Sequence, residues 1–266
     1  MTKDPSQYVN SANLARRGDL HAAYSGVSWF AWVADRLELS AGADVLDVGS
    51  GPAWFWRKSR WAGQGLKLTV LDSSPGMVAE AEKGLSEAGF AEVTGIVAHA
   101  GALPLSDNAF DAVTLMHVLY HLPEPEAAFT EALRVLRPGG QLHVTLNAHD
   151  DLQAITDVII DVFGREPFDF AASRTFLDRG EALMSSHFTD VTRHDLVETY
   201  NCDDHDILQA FTLSMPPANR ADDAGRQNLL EALARAMEDG DGVLSAERHS
   251  GLITGTKPLA QNNGAP

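Results

Sequence analysis

Residues 45–54 read Val45-Leu46-Asp47-Val48-Gly49-Ser50-Gly51-Pro52-Ala53-Trp54. A short apolar run of strand character meets two glycines one residue apart, and a helical pattern starts from about Ala53. Glycine has no Cβ, so a strand that turns on such a pair lets its backbone pass close to a bound molecule. The next strand-like run, Leu66 to Leu71, is followed by Asp72. A carboxylate at that strand end accepts hydrogen bonds from the 2′ and 3′ hydroxyls of a ribose. Alone, a GxG pair is an ordinary turn and an Asp before Ser-Ser-Pro an ordinary helix cap. Their spacing joins them into a nucleoside-binding α/β site.

Outward from this stretch, strand and helix patterns alternate. Residues 27–39 place Trp29, Phe30, Val33 and Leu37 at helical spacing ahead of the first strand. After Asp72 comes a helix from Pro75 through Leu85, then strand-like runs at 92–98 and 111–116. A helix over 125–137 is expected to end at Pro138-Gly139-Gly140, before a strand over 141–147. Five strand–helix units in succession predict an α/β, Rossmann-like, doubly wound and mainly parallel sheet, of seven strands in all. Helical patterns follow at about 150–162, 174–186, 203–214 and 222–238, with strand-like runs at 190–200 and 251–255. The expected organisation is one domain over 1–257: a helical cap (1–42), a cofactor-binding core (43–147), a helical insertion (203–245) before the last strand, and then a flexible tail (258–266).

A dinucleotide fingerprint asks for a third glycine where this chain has Trp54, and an indole there is expected to hold the helix off the sheet, which disfavours a pyrophosphate. What remains is an adenosine ligand without phosphates, and S-adenosylmethionine has that shape.

Four segments in order, VLDVGSGPA, VLDSSPGM, ALPLSDNAFDAVTLMHVLYHL and EALRVLRPGGQL, resemble the successive motifs of class I S-adenosylmethionine-dependent methyltransferases, over roughly residues 43–147. The resemblance implies that Asp47, Gly49, Ser50 and Gly51 form the cofactor loop, with the two glycines at the methionine part. It puts Asp72 on the ribose, Ser73 and Met77 beside the nucleoside, and Met116-His117 near the sulfonium. It puts His99 and Ala100 where family members often carry an acid toward the adenine, and Ala53 where they carry a third glycine. An N-terminal segment with Tyr8 and Tyr24 resembles the helical cap of many members, where an aromatic face can meet the sulfonium.

Methyl transfer from a sulfonium by in-line displacement asks for alignment and exclusion of water, and a base when the acceptor begins as a hydroxyl or ammonium. His117, Tyr120 and His121 follow the fourth strand at the carboxyl edge, and Asn147 ends the fifth, so His117, His121, Asn147, Tyr24 and Tyr8 are the catalytic candidates. No metal site is expected: Asp150-Asp151 and Cys202-Asp203-Asp204-His205 read as helix caps rather than ligands.

Composition narrows the partners. Asp plus Glu number 37 against 20 for Lys plus Arg, a formal charge of −17, with no basic run dense enough to follow a phosphate backbone. Nucleic acid and anionic membrane are excluded as expected partners; a small neutral or cationic metabolite fits, and a homodimer is open. One cysteine, no signal-peptide pattern and no long apolar run point to the cytoplasm. The leading function is methyl transfer to a small molecule. The alternatives are a lyase of the same fold, forming azetidine-2-carboxylate and methylthioadenosine by attack of the cofactor's own amine, and a non-catalytic cofactor-binding accessory protein.

Overall fold

The computed structural model describes residues 12–164 and 175–259; Tyr8 and most of the expected tail (260–266) lie outside the described residues. Seven strands, β1 (Asp44–Val48), β2 (Lys67–Asp72), β3 (Glu92–Val97), β4 (Phe110–Met116), β5 (Leu136–Asn147), β6 (Thr189–Cys202) and β7 (Leu244–Thr256), form one sheet in the order β3-β2-β1-β4-β5-β7-β6. The strands from β3 to β5 pair in parallel. Along β5 and β7, Gly139 meets Lys257 and Ala148 meets His249, so these two run antiparallel. The expected mainly parallel, seven-stranded α/β fold is therefore the one present.

The core strands read as apolar runs because both faces are covered: Val45, Leu46, Val48, Leu68, Val70 and Leu71 are all buried. Between strands run the short α3 (Trp54–Lys58), α4 (Pro75–Glu87) and α5 (Pro125–Val135). Helix α4 starts where Ser74 accepts a hydrogen bond from Met77 N and Pro75 takes the first helical position, and it buries Met77, Val78, Ala81 and Leu85.

Several boundaries differ from the sequence reading. Helix α5 stops at Val135, and Pro138-Gly139-Gly140 lies within β5 rather than closing a helix. Phe110 pairs with Leu136 but Ala112 with Gln141, so the Pro-Gly-Gly step is bulged out of register. Gly140 is required there, since a Cβ would fall 2.9 Å from the carbonyl oxygens of Arg137 and Asp111. The helix expected over 27–39 is α2 (Trp29–Ala34), preceded by a separate α1 (Ala12–Tyr24).

The chain divides into two compact units. One, residues 29–147, 175–194 and 251–266, holds β1 to β5, α2 to α5, α7 (Leu177–His187) and the flanking parts of β6 and β7. The other, residues 1–28, 148–174 and 195–250, holds α1, α6 (Gln153–Phe163), α8 (His205–Ser214), α9 (Asp223–Asp239) and the remaining strand segments. Its own core includes Leu20, Ile155, Leu208, Phe211, Leu229 and Leu233. Helices α8 and α9 fall between β6 and β7 in the chain, where the helical insertion was expected. Within this second unit Arg248 and Glu198 form a buried ion pair at 3.3 Å, and Glu198 also accepts from Ser25 Oγ at 2.7 Å and Gly26 N at 2.9 Å.

Candidate cofactor site

Strand order reverses its direction of growth between β1 and β4, and ligands of open α/β sheets bind at the carboxyl ends of strands at such a point. Gly49 takes φ +69°, and a Cβ on it would lie 2.6 Å from Val118 Cγ2. Only glycine lets the loop after β1 pass Val118, two residues beyond the end of β4. Gly51 takes φ +51°, and nothing stands within 4 Å of where its Cβ would be. That open space beside a left-handed glycine is where a ligand can approach the backbone.

Asp72 ends β2 and faces this loop. Its two carboxylate oxygens accept from Gly51 N at 3.0 Å and Ser74 N at 2.9 Å. Gly49 N and Ser50 N donate to Leu71 O at 2.6 and 3.0 Å. The helix cap is Ser74, not Asp72, so the acid is left to hold the loop. Each of its oxygens keeps a further lone pair for a hydroxyl.

Asp47, two residues before Gly49, is buried and accepts from Thr114 Oγ1 at 2.6 Å. Burial pushes its carboxyl up to about 6; the Thr114 hydroxyl counters this, Trp56 does so less, and the nearby Asp72 charge adds to the rise. The indole Nε1 of Trp56 favours the charged form without making a hydrogen bond of good geometry.

Other cofactor candidates lie around this frame. Ala98 N donates to Asp72 O at 3.1 Å, so the turn bearing exposed His99 and buried Ala100 adjoins the end of β2. Ser73 is exposed and Met77 buried on α4. Met116 ends β4, its sulfur 3.7 Å from Thr145 Oγ1. Ala53 adopts φ +54°, the left-handed conformation that the missing third glycine would take freely. Trp54, at the position of the third glycine, opens α3. It lies half-buried in a groove with Arg57, Lys58, Gly84 and Glu87, while Phe55 and Trp56 face the core.

The catalytic candidates separate. His117 follows β4 at φ +57°, its backbone N donating to Thr145 O and Oγ1 at 3.1 and 3.0 Å. Rings run on from it: Tyr120 at 6.3 Å and His121 at 4.4 Å from Tyr120, on the turn Leu119–His121. Asn147 is half-buried at the end of β5, two residues past Thr145, the partner of Met116. Tyr24 belongs to the other unit, where its hydroxyl donates to Asp203 Oδ1 at 3.1 Å and accepts from Asp204 N at 2.8 Å. Two residues that the sequence reading did not place at the site lie beside its candidates: Thr114, whose hydroxyl donates to Asp47, and Trp29, read there only as part of a helical face, whose ring lies 5.1 Å from that of His117. Nothing in the one-dimensional pattern distinguishes either from an ordinary core residue.

The acidic pairs behave differently from one another. Asp204 caps α8, accepting from Asp206 N and Ile207 N. Asp151 does not cap α6: the cap residue is Leu152, with no side-chain bond, and Asp151 accepts from His249 N at 2.9 Å. Burial pushes the Asp151 carboxyl up to about 6. Asp150, Glu247 and His249 hold ligand-type atoms within 4.8 Å of one another, with Nε2 of His249 2.9 Å from Asp195. Cys202 is a buried packing residue, its thiol pushed up to about 11 by burial and the Asp203 charge.

Comparison with known proteins bears on the same residues. Residues 46–144 match a family model described as a methyltransferase domain. The demethylmenaquinone methyltransferase of Renibacterium salmoninarum is 36% identical over 121 residues, which is 46% of this chain and 48% of that one. The chain thus spans about half the length of the curated relatives it matches first. Among solved structures, the YcgJ protein of Bacillus subtilis superposes with a TM-score of 0.60 at 17% identity, covering 86% of this chain and 97% of that one. The [4+2]-cyclase SpnF does so with a TM-score of 0.59 at 22% identity, covering 96% and 97%. Sheet order, glycine turn and family match agree with one another: residues 46–144 match a methyltransferase domain, and the chain has the α/β fold of these solved neighbours.

Proposed function

We propose that this chain transfers a methyl group from S-adenosylmethionine to a small-molecule acceptor by in-line displacement. The observation that carries this reading is the open space at Gly51, whose backbone N is bonded to the Asp72 carboxylate, in a loop that Gly49 locks against Val118 beyond β4. Those residues fit the cofactor: a backbone that a ligand can approach without meeting a Cβ, and a fixed acid for a ribose diol. The cofactor supplies a methyl already activated on a positive sulfur, so no covalent nucleophile is required of the protein.

The work left to the chain is binding, orientation and proton removal. Asp72 and the turn 49–51 hold the nucleoside and methionine parts. Asp47, buried beneath the turn, supports a negative potential near the cofactor's ammonium whenever it is ionised. His117 or His121 accepts a proton from a hydroxyl or amine acceptor at the β4 edge, and Asn147 offers an amide to orient it. The acidic surface, at −17, disfavours a polyanionic acceptor.

The test is to incubate the full chain with S-adenosylmethionine, with and without a library of small acceptors, and to identify products by mass spectrometry. Methylated acceptor together with S-adenosylhomocysteine supports the reading. Methylthioadenosine and a four-membered-ring amino acid formed from the cofactor alone would replace it with the lyase reaction.

A further inference from the structure

Among residues given no part in cofactor binding, Asp150, Glu247 and His249 converge, their ligand-type atoms lying within 4.8 Å of one another. All three, and Asp195 beside them, belong to the second compact unit. The backbone fixes where they meet. Glu247 and His249 stand two apart on β7 and so share one face of the strand. The segment after β5 is bonded alongside: Ala148 N donates to His249 O at 2.9 Å, Leu152 N to Glu247 O at 2.7 Å, and His249 N to Asp151 Oδ1 at 2.9 Å. Asp150 is thereby held next to the pair on β7.

The imidazole shows what such a cluster can hold. Nε2 of His249 lies 2.9 Å from Asp195 Oδ1, and an ionised carboxylate only accepts, so Nε2 carries the proton. In the neutral ring Nδ1 is then a bare lone pair, and it lies 3.5 Å from Asp150 Oδ1, itself an acceptor. Lone pairs of one imidazole and two carboxylates that face one another repel unless a cation lies among them. Solvent reaches the place: the side chains of Asp150 and His249 are 62% and 21% exposed, and Glu247 is exposed.

The spacing is close to that of metal ligands. Around a tetrahedral zinc at about 2.1 Å, ligand atoms stand about 3.4 Å apart. Nδ1 and Asp150 Oδ1 already meet this, and the exposed Glu247 side chain can turn inward to complete the set. A carboxylate on the far nitrogen is the usual support of a ligating histidine, holding its tautomer and raising its basicity. One imidazole and two carboxylates suit Zn²⁺ or a similar first-row ion over Mg²⁺ and Ca²⁺, which take oxygen ligands.

We propose that Asp150, Glu247 and His249 bind a divalent transition-metal ion through two carboxylate oxygens and Nδ1, with Asp195 positioning the ring. The ion pins the segment that follows β5 to β7 and keeps an outward coordination position for water. The acids Asp150-Asp151, expected to cap α6, thereby divide their work: Asp151 holds the backbone of His249, and Asp150 supplies a ligand. Nothing in this assignment depends on methyl transfer.

The full chain, stripped with a chelator, is titrated with Zn²⁺ and Mg²⁺ by calorimetry and with Co²⁺ by visible absorption. A single saturable Zn²⁺ site is expected, at least about tenfold tighter than any for Mg²⁺, and the melting temperature rises with Zn²⁺ concentration. His249→Gln abolishes the saturable uptake, and so does Asp150→Asn combined with Glu247→Gln. Asp195→Ala weakens it about 10–100-fold, and Asp195→Asn, which still accepts from Nε2, recovers most of that loss. In heteronuclear spectra of the histidine-labelled wild type, the His249 Nδ1 signal moves on adding Zn²⁺ while Nε2 keeps its proton. No Zn²⁺ uptake, uptake that survives His249→Gln, Mg²⁺ bound as tightly as Zn²⁺, or a response at Nε2 in place of Nδ1 would each overturn the proposal. A proton on Nδ1 that persists in excess Zn²⁺ would also overturn it, leaving the cluster an ordinary surface ion pair.

Discussion

Gly49 and Val118 are interlocked: at φ +69° the glycine sits so close to the valine that a Cβ would lie 2.6 Å from Val118 Cγ2. The loop after β1 and the loop after β4 are thus fixed relative to each other by one missing methyl group. Those are the two loops that frame the cofactor site.

The first prediction tests that contact. Gly49→Ala combines a left-handed backbone with a clash, and is expected to lower stability by about 2–4 kcal/mol in urea denaturation. Adding Val118→Ala removes the clash but not the backbone strain. The double variant should therefore lose less than the sum of the two single losses, a non-additivity that a double-mutant cycle measures directly. Strict additivity would show that the contact is not what requires glycine.

Asp72 is predicted to serve both the ligand and the loop. Asp72→Ala removes the acceptor for a ribose diol and should weaken S-adenosylmethionine binding by about 1–3 kcal/mol in calorimetry. It also removes the acceptor for Gly51 N and Ser74 N, so the apo protein should lose stability as well. Asp72→Asn, which keeps one acceptor oxygen, is expected to fall between. Unchanged affinity in the alanine variant would remove the site assignment.

Ala53 offers a test in the opposite direction. It holds φ +54° with its side chain buried, a conformation that costs an L-residue about 1–2 kcal/mol. Glycine takes it freely but loses more backbone entropy on folding, about 0.5–1 kcal/mol. Ala53→Gly should consequently stabilise the protein by about 0.5–1 kcal/mol, read as a higher urea midpoint at unchanged slope. A lower midpoint would show that the methyl group packs better than its backbone is strained.

Acid sensitivity follows from His143. It is fully buried on β5, with Nδ1 3.0 Å from Thr254 Oγ1, and burial lowers its pKa from 6.5 to about 4. The unfolded chain therefore takes up this proton near pH 6.5 while the folded chain holds it off until about pH 4. The contribution to stability is intact above pH 6.5 and is lost as pH falls through that window, by about 3 kcal/mol. Asp47 acts with the reverse sign: its carboxyl is raised from 3.8 to about 6, so its contribution is present below pH 3.8 and lost as pH rises through 6. Stability curves from pH 4 to 7 for wild type and His143→Gln should differ in slope, the variant losing less toward acid. Parallel curves would show that His143 is protonated in the fold.

How far the site was legible in one dimension depends on the residue. Asp47, Gly49, Gly51 and Asp72 stand out in the sequence as candidates because the strand, the turn and the spacing that mark them are local features. The Pro138-Gly139-Gly140 step misled, because a breaker signal marks an interruption without saying whether helix or strand follows; the bulge depends on β4 lying alongside. Asp150-Asp151 misled in the same way. Adjacent acids before a helix suggest a cap, yet Asp151 is claimed by the backbone of His249, nearly a hundred residues on in the chain.

By itself the sequence determined the alternation of strands and helices, the glycine turn with its acid, and hence the fold, because periodicity and turn chemistry act over a few residues. The tertiary structure alone decided that Val118 closes on Gly49, that Thr114 and burial raise Asp47, and that Trp29 lies on His117 with its N–H unpaired. Each of those is a contact between residues far apart in the chain, and its energy depends on the distance and burial that only the packed sheet creates.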